Sequence, residues 1–187
     1  NTITLDLGPW VGAANYRHLL EDKFYLASLV TTAKFTFWSV FLKAVVGTIA
    51  AVLLNRLTGK ATLLVGLVLL PWIMPDIVRA ITWKTILDPL YGAVSVGLMN
   101  LGLIKQPLAI LGDVKTALTG VIMVNLWQGI PFFTINLLAG LKSIDQELYE
   151  AAAIDGANSW RQFLHITLPG LRYVLIVVTL LSTIWTF

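Results

Sequence analysis

The chain has 187 residues, of which 57 % are hydrophobic and only 12 % are charged, against about 25 % charged in soluble domains. With a mean hydropathy of +0.81 it reads as an integral membrane protein. Its formal charge of +3 is spread without a basic run, which excludes a nucleic-acid surface, and the absence of cysteine excludes thiolate chemistry and cysteine metal sites.

Residues 1–23 are mixed in polarity, and 11–20 are predicted to form a short helix at a membrane surface. Residues 26–54 are the first stretch long enough to cross a bilayer with tilt. The loop 55–60 carries Arg56 and Lys60, which the positive-inside tendency places in the cytoplasm. A second span is predicted over 61–87, with its hydrogen-bond ladder broken or kinked by Pro71 and Pro75. Residues 90–115 read as a turn-rich external segment. A third span follows over 116–141, with Asp113 as candidate N-cap and a kink expected at Pro131. At 100° per residue, Asn125, Gln128, Gly129, Phe132, Asn136 and Gly140 share one face of that span, with Trp127 roughly opposite. A truncated fourth span occupies 171–187. The chain lacks an initiator methionine and stops inside an apolar run shorter than the about 20 residues a span needs. Both ends are therefore read as missing.

Between the third and fourth spans lies a polar island. Ser143 with Gln146 and Ser159 with Gln162 have the spacing of capping boxes, and Asp145 and Glu147 suit a first helical turn. Gly156 stands between them, able to take a left-handed cap. A helix, a glycine corner and a second helix are predicted.

Glu150, Ala151 and Ala152, then Gly156 four positions later, and Ile166, Leu168 and Pro169 beyond it, resemble the cytoplasmic loop signature of the permease subunits of bacterial ABC importers. Residues 70–92, with a Pro-Trp pair, a later Trp and Asp-Pro before Tyr-Gly, are similar to the carbohydrate-uptake class. The resemblance covers about residues 11–187 and implies an all-α polytopic transmembrane bundle. It implies a single permease domain with at least three full spans, a truncated fourth, and a coupling loop at 143–169. Glu150, Ala151, Ala152, Asp155, Gly156, Ile166, Leu168 and Pro169 would couple that loop to an ABC ATPase subunit. The implied partners are those ATPases, which carry the ATP and magnesium, a second permease, an extracytoplasmic solute-binding protein and membrane lipid. The implied location is the cell inner membrane, as a multi-pass subunit that binds no cofactor and hydrolyses nothing itself. A cytoplasmic coupling loop places Arg56, Lys60, Lys142, Arg161 and Arg172 inside and Arg17, Lys23, Lys105 and Lys115 outside.

Asn125, Gln128 and Asn136 are candidates for the translocation path, since amides both donate to and accept from hydroxyl-rich solutes; the competing reading is interhelical glue. Phe132 and Trp127 are candidates to stack on a sugar ring, against ordinary packing. Lys43 and Arg79 lie within apolar runs, where a charge costs about 2.5 to 3.5 kcal/mol on insertion scales. Asp76 and Arg79 are spaced for a local ion pair, Lys34 can snorkel, and Lys43 has no partner nearby in sequence. These charges leave an acidic saccharide or a sugar phosphate as alternative cargoes. Amino acids are a further alternative, and an ion-coupled secondary transporter is the rival mechanism. No catalytic constellation is present: His18 and His165 fall on opposite sides, and Asp145, Glu147, Glu150 and Asp155 read as a solvated helix surface. No metal site is expected.

Overall fold

The computed structural model describes residues 12–57 and 61–187, which form helices and connecting turns with no strand among them. Contacts divide the chain into two units, Asn1–Lys34 and Phe35–Phe187. In the first, α1 (Ala14–Glu21) overlaps the surface helix expected at 11–20 and carries an exposed Arg17–Glu21 pair at 3.3 Å. Asp22 then starts α2 (Lys23–Asn55), its carboxylate accepting from the Phe24 amide at 2.8 Å.

The second unit contains the rest of α2 and the helices α3 (Ala61–Ile73), α4 (Asp76–Ile86), α5 (Ala93–Asn100), α6 (Val114–Lys142), α7 (Gln146–Ile154), α8 (Ser159–Gln162) and α9 (Leu168–Thr186). A π-helical turn, Phe163–Thr167, joins α8 to α9, so that Ser159–Thr186 is one apolar helix. That helix, α2 and α6 are each long and apolar enough to cross a membrane.

Helix α6 organises the packing. Its Phe133, Leu137, Leu138 and Leu141 form a core with Val40, Ala51 and Leu54 of α2 and with Leu171 and Val178 of α9. Lipid solvates leucine as well as a neighbouring helix does, so close van der Waals contact rather than water exclusion holds such helices together. Two glycines permit that contact. A Cβ on Gly47 would overlap Phe133 Cβ, and one on Gly140 would lie 2.9 Å from Leu171 Cδ2.

The stretch predicted as a span at 61–87 is two helices, α3 and α4, bent by 92° at their junction. The two prolines do not share the work. Pro71 stays inside α3, whereas Pro75 takes the position before α4 with ψ 143°. A residue preceding proline is driven out of the helical region, so the helix ends ahead of Pro75 and restarts after it. Residues 90–115 are rich in turns on both sides of α5, whose buried Ser95 accepts the Leu108 amide at 3.0 Å. Asp113 caps α6 through the Lys115 amide at 3.0 Å. The helix then runs unbroken through Pro131.

Candidate translocation path and coupling loop

Midway along α6, Asn125, Gln128, Gly129 and Phe132 line a cavity of about 120 Å³. Its other walls are Lys43 of α2, Trp72 of α3, and Ser182, Trp185 and Thr186 of α9. Phe132 stands between two indoles, with ring centroids 6.4 Å from Trp72 and 5.1 Å from Trp185. Lys43 is only 4 % exposed, and its ammonium donates to Thr186 Oγ1 at 3.2 Å and, at the limit of hydrogen bonding, to Ser182 Oγ at 3.5 Å. Its stem lies on Gly129, where a Cβ would come within 2.6 Å of Lys43 Cδ. Asn125 Oδ1 is buried and has no hydrogen-bond partner.

Four of the six path candidates thus come together: Asn125, Gln128, Phe132 and Lys43. Asn136 and Arg79 do not join them. Asn136 turns back on its own helix, donating to the Phe132 carbonyl at 2.7 Å, and Arg79 pairs with Asp76 at 2.7 Å. Trp127 also stands away from this cavity, edge-on to Trp83 of α4 at 5.4 Å. Trp72 was noted only for the Pro-Trp pair and not as a path residue, and Ser182, Trp185 and Thr186 were not singled out by the sequence. The helical period of α6 finds its own face, but it carries no signal for which face of α3 or α9 lies opposite.

Beyond the C-terminal end of α6, the polar island folds as α7, a corner and α8. Its caps differ from the expected boxes. Asp145, not Ser143, caps α7, accepting from the Glu147 amide at 3.1 Å, while Ser143 Oγ donates to Gly140 and closes α6. Asn158, not Ser159, caps α8 through the Arg161 amide at 2.9 Å. In each case a neighbouring Asx carboxamide or carboxylate competes for the cap position, where it ranks at least as well as serine. Gly156 takes φ +78°. The Ala157 amide reaches the Ala152 carbonyl at 2.8 Å and the Gly156 amide reaches Ala153 at 3.1 Å, the paired bonds of a Schellman ending.

Glu150, Ala151, Asp155, Leu168 and Pro169 are exposed, while Ala152 and Ile166 are half-buried. Beside Gly156, Ile154 is 87 % and Trp160 66 % exposed. Behind the loop, Tyr149 Oη and Thr167 Oγ1 are 2.9 Å apart. They line a polar cavity of about 310 Å³ together with Asn55, Arg56, Gln146 and Gln162. Among the described residues no cluster of His, Cys, Asp and Glu could hold a metal ion.

A bundle of apolar helices that holds an amide and aromatic cavity at the middle of α6 and a capped polar loop at its end is the build of a membrane transport permease subunit. The chain belongs to the binding-protein-dependent transport system inner membrane component family, which matches residues 43–187. It is similar to the trehalose/maltose transport system permease protein MalF of Thermococcus litoralis, 41 % identical over 94 % of this chain and 59 % of that protein. It is also similar to the diacetylchitobiose uptake system permease protein DasB of Streptomyces coelicolor, 35 % identical over 95 % of this chain and 55 % of that protein. The chain therefore spans less than two thirds of the length of these relatives. Among solved structures, a bacterial ABC transporter that imports the acidic polysaccharide alginate superposes with a TM-score of 0.84 at 25 % identity, covering 94 % of this chain and 62 % of that one. The ion-coupled transporter considered from the sequence is not favoured by these likenesses.

Proposed function

We propose that this chain is a multi-pass inner-membrane subunit of an ATP-driven importer. It forms part of the path for a sugar or sugar-like solute handed over by an extracytoplasmic binding protein. A second permease completes the path, and separate ATPase subunits, carrying ATP and magnesium, dock on residues 143–169. Glu150, Ala151, Ala152, Asp155, Gly156, Ile166, Leu168 and Pro169 are the coupling residues in this reading. Closure of the ATPases moves the loop and reorients the cavity, so that solute is exchanged between two states of different affinity. The chain itself performs no hydrolysis. The family description and the saccharide relatives support this reading.

The observation that carries it is the exposed corner at Gly156. A polar loop with Ile154 and Trp160 left outside, held at a fixed angle by a left-handed glycine, is a docking element for a partner protein. A Cβ at Gly156 would meet nothing within 4 Å, so substitution there acts through backbone conformation alone. Valine strongly disfavours this region, whereas asparagine tolerates it. The full-length protein, expressed with the ATPase subunit of its system, is expected to co-purify with it as wild type and as Gly156→Asn, and to lose it as Gly156→Val. Equal retention by all three would overturn the coupling assignment.

A further inference from the structure

The α6 cavity contains a buried cation that recognition of a neutral sugar does not require. Lys43 stands about 18 Å along the axis from the nearer end of α2, and at 4 % exposure its side chain is enclosed by the surrounding helices. The residues lining the cavity include no carboxylate. The aspartate of α4, Asp76, is already paired with Arg79. Two neutral hydroxyls, Ser182 and Thr186, are the only hydrogen-bond partners of the ammonium among the described residues. An ammonium has three N–H donors, so one remains unclaimed.

Two further groups share this space. Asn125 Oδ1 is a buried acceptor without a donor, and a buried polar atom left unsatisfied is costly unless something supplies the missing bond. Trp72, Phe132 and Trp185 offer aromatic surface of the kind that covers the apolar face of a pyranose. A cation for an acid group, an acceptor for a hydroxyl and rings for a sugar face together describe one class of ligand. We infer that the cavity takes an anionic saccharide, with its acid group on the Lys43 ammonium and a hydroxyl on Asn125. The missing Cβ at Gly129 leaves room for the lysine stem at that wall. This inference rests on the transport reading above and names the substrate class within it.

The test uses the assembled, detergent-purified transporter, with the full-length chain, its partner permease and its ATPases. Direct binding to that complex, without the solute-binding protein, isolates the selectivity of the membrane subunits. The probes are a uronic acid disaccharide, its neutral methyl ester, and a sugar phosphate of similar size. The wild type is expected to bind an acid probe at least about tenfold more tightly than the ester, the difference that one charge-assisted hydrogen bond provides. Preference for the phosphate over the carboxylate would support the inference and assign the acid group. Lys43→Met should erase the discrimination and Lys43→Arg should retain much of it, while Trp185→Ala should weaken acid and ester alike. Lys43→Gln replaces Lys43→Met if the latter fails to assemble, with ATPase co-purification as the check on assembly. Equal binding of acid and ester, discrimination that survives loss of the lysine charge, or no binding by any probe to a complex that retains its ATPase would overturn the anionic assignment and leave the transport reading standing. A chain that never associates with an ATPase would overturn both.

Discussion

The cavity at the middle of α6 and the candidate coupling loop that follows its C-terminal end are built in opposite ways. The loop is contiguous: its caps, its corner and its exposed apolar residues all fall within residues 143–169, and its geometry follows from hydrogen bonds between near neighbours. The cavity is assembled from four helices, with Lys43 and Thr186 at its far ends in sequence. Local hydrogen bonds fix the loop, whereas the cavity exists only if α2, α3, α6 and α9 pack in register. A substitution in the loop should therefore alter partner binding and leave the solute site intact, and a substitution in the cavity should do the reverse.

Gly156→Val tests this separation with the largest expected effect, loss of the ATPase from the purified complex with solute binding preserved. If solute binding fell as well, the two regions would not be independent. The converse is Trp185→Ala, which removes the ring 5.1 Å from Phe132. Solute affinity is expected to fall about tenfold, as for loss of one aromatic contact of about 1.5 kcal/mol, with ATPase association unchanged. Tyr149→Phe removes the bond to Thr167 that ties α7 to the π turn. It is expected to cost about 1 kcal/mol and to weaken solute-stimulated ATP hydrolysis a few-fold, without loss of either partner. Asp145→Ala and Asn158→Ala should each cost about 1 kcal/mol, seen as faster amide exchange confined to α7 or α8. The smallest effect concerns Asp88, outside both regions. The Tyr91 and Leu90 amides hold its carboxyl below the ordinary 3.8, so its ionised form favours the folded turn. That contribution is present at neutral pH and is lost as pH falls through 3.8 toward the folded value. Asp88→Asn should remove this acid sensitivity from the exchange of residues 88–92 while cavity and loop behave as wild type.

The contrast also explains what could be read from the sequence. The glycine corner is a local event, and Gly156 between two short polar helices was sufficient to place it. The face of α6 was legible because the 3.6-residue period puts Asn125, Gln128, Gly129 and Phe132 together whatever lies opposite. Lys43 could be recognised as a misplaced charge, yet its partners on α9 lie in a run that reads only as apolar. The capping serines failed for a different reason. Spacing identified the boxes, but Asp145 and Asn158 stand close by, and a rule about spacing does not rank competing caps. Similarly, Pro71 and Pro75 look alike as breakers in a linear reading. Only the backbone shows that one is accommodated within α3 and the other ends it.

The continuous helix Ser159–Thr186 joins these regions physically. Its first residues lie just past the Gly156 corner, and its last turns supply Ser182, Trp185 and Thr186 to the cavity. At about 1.5 Å per residue, this amounts to a strut about 40 Å long. Only one irregular joint interrupts it, the π turn at Phe163–Thr167, and Tyr149 bonds to that joint from α7. A displacement imposed at the loop would therefore have a direct route along one helix to the wall where the lysine ammonium is bound.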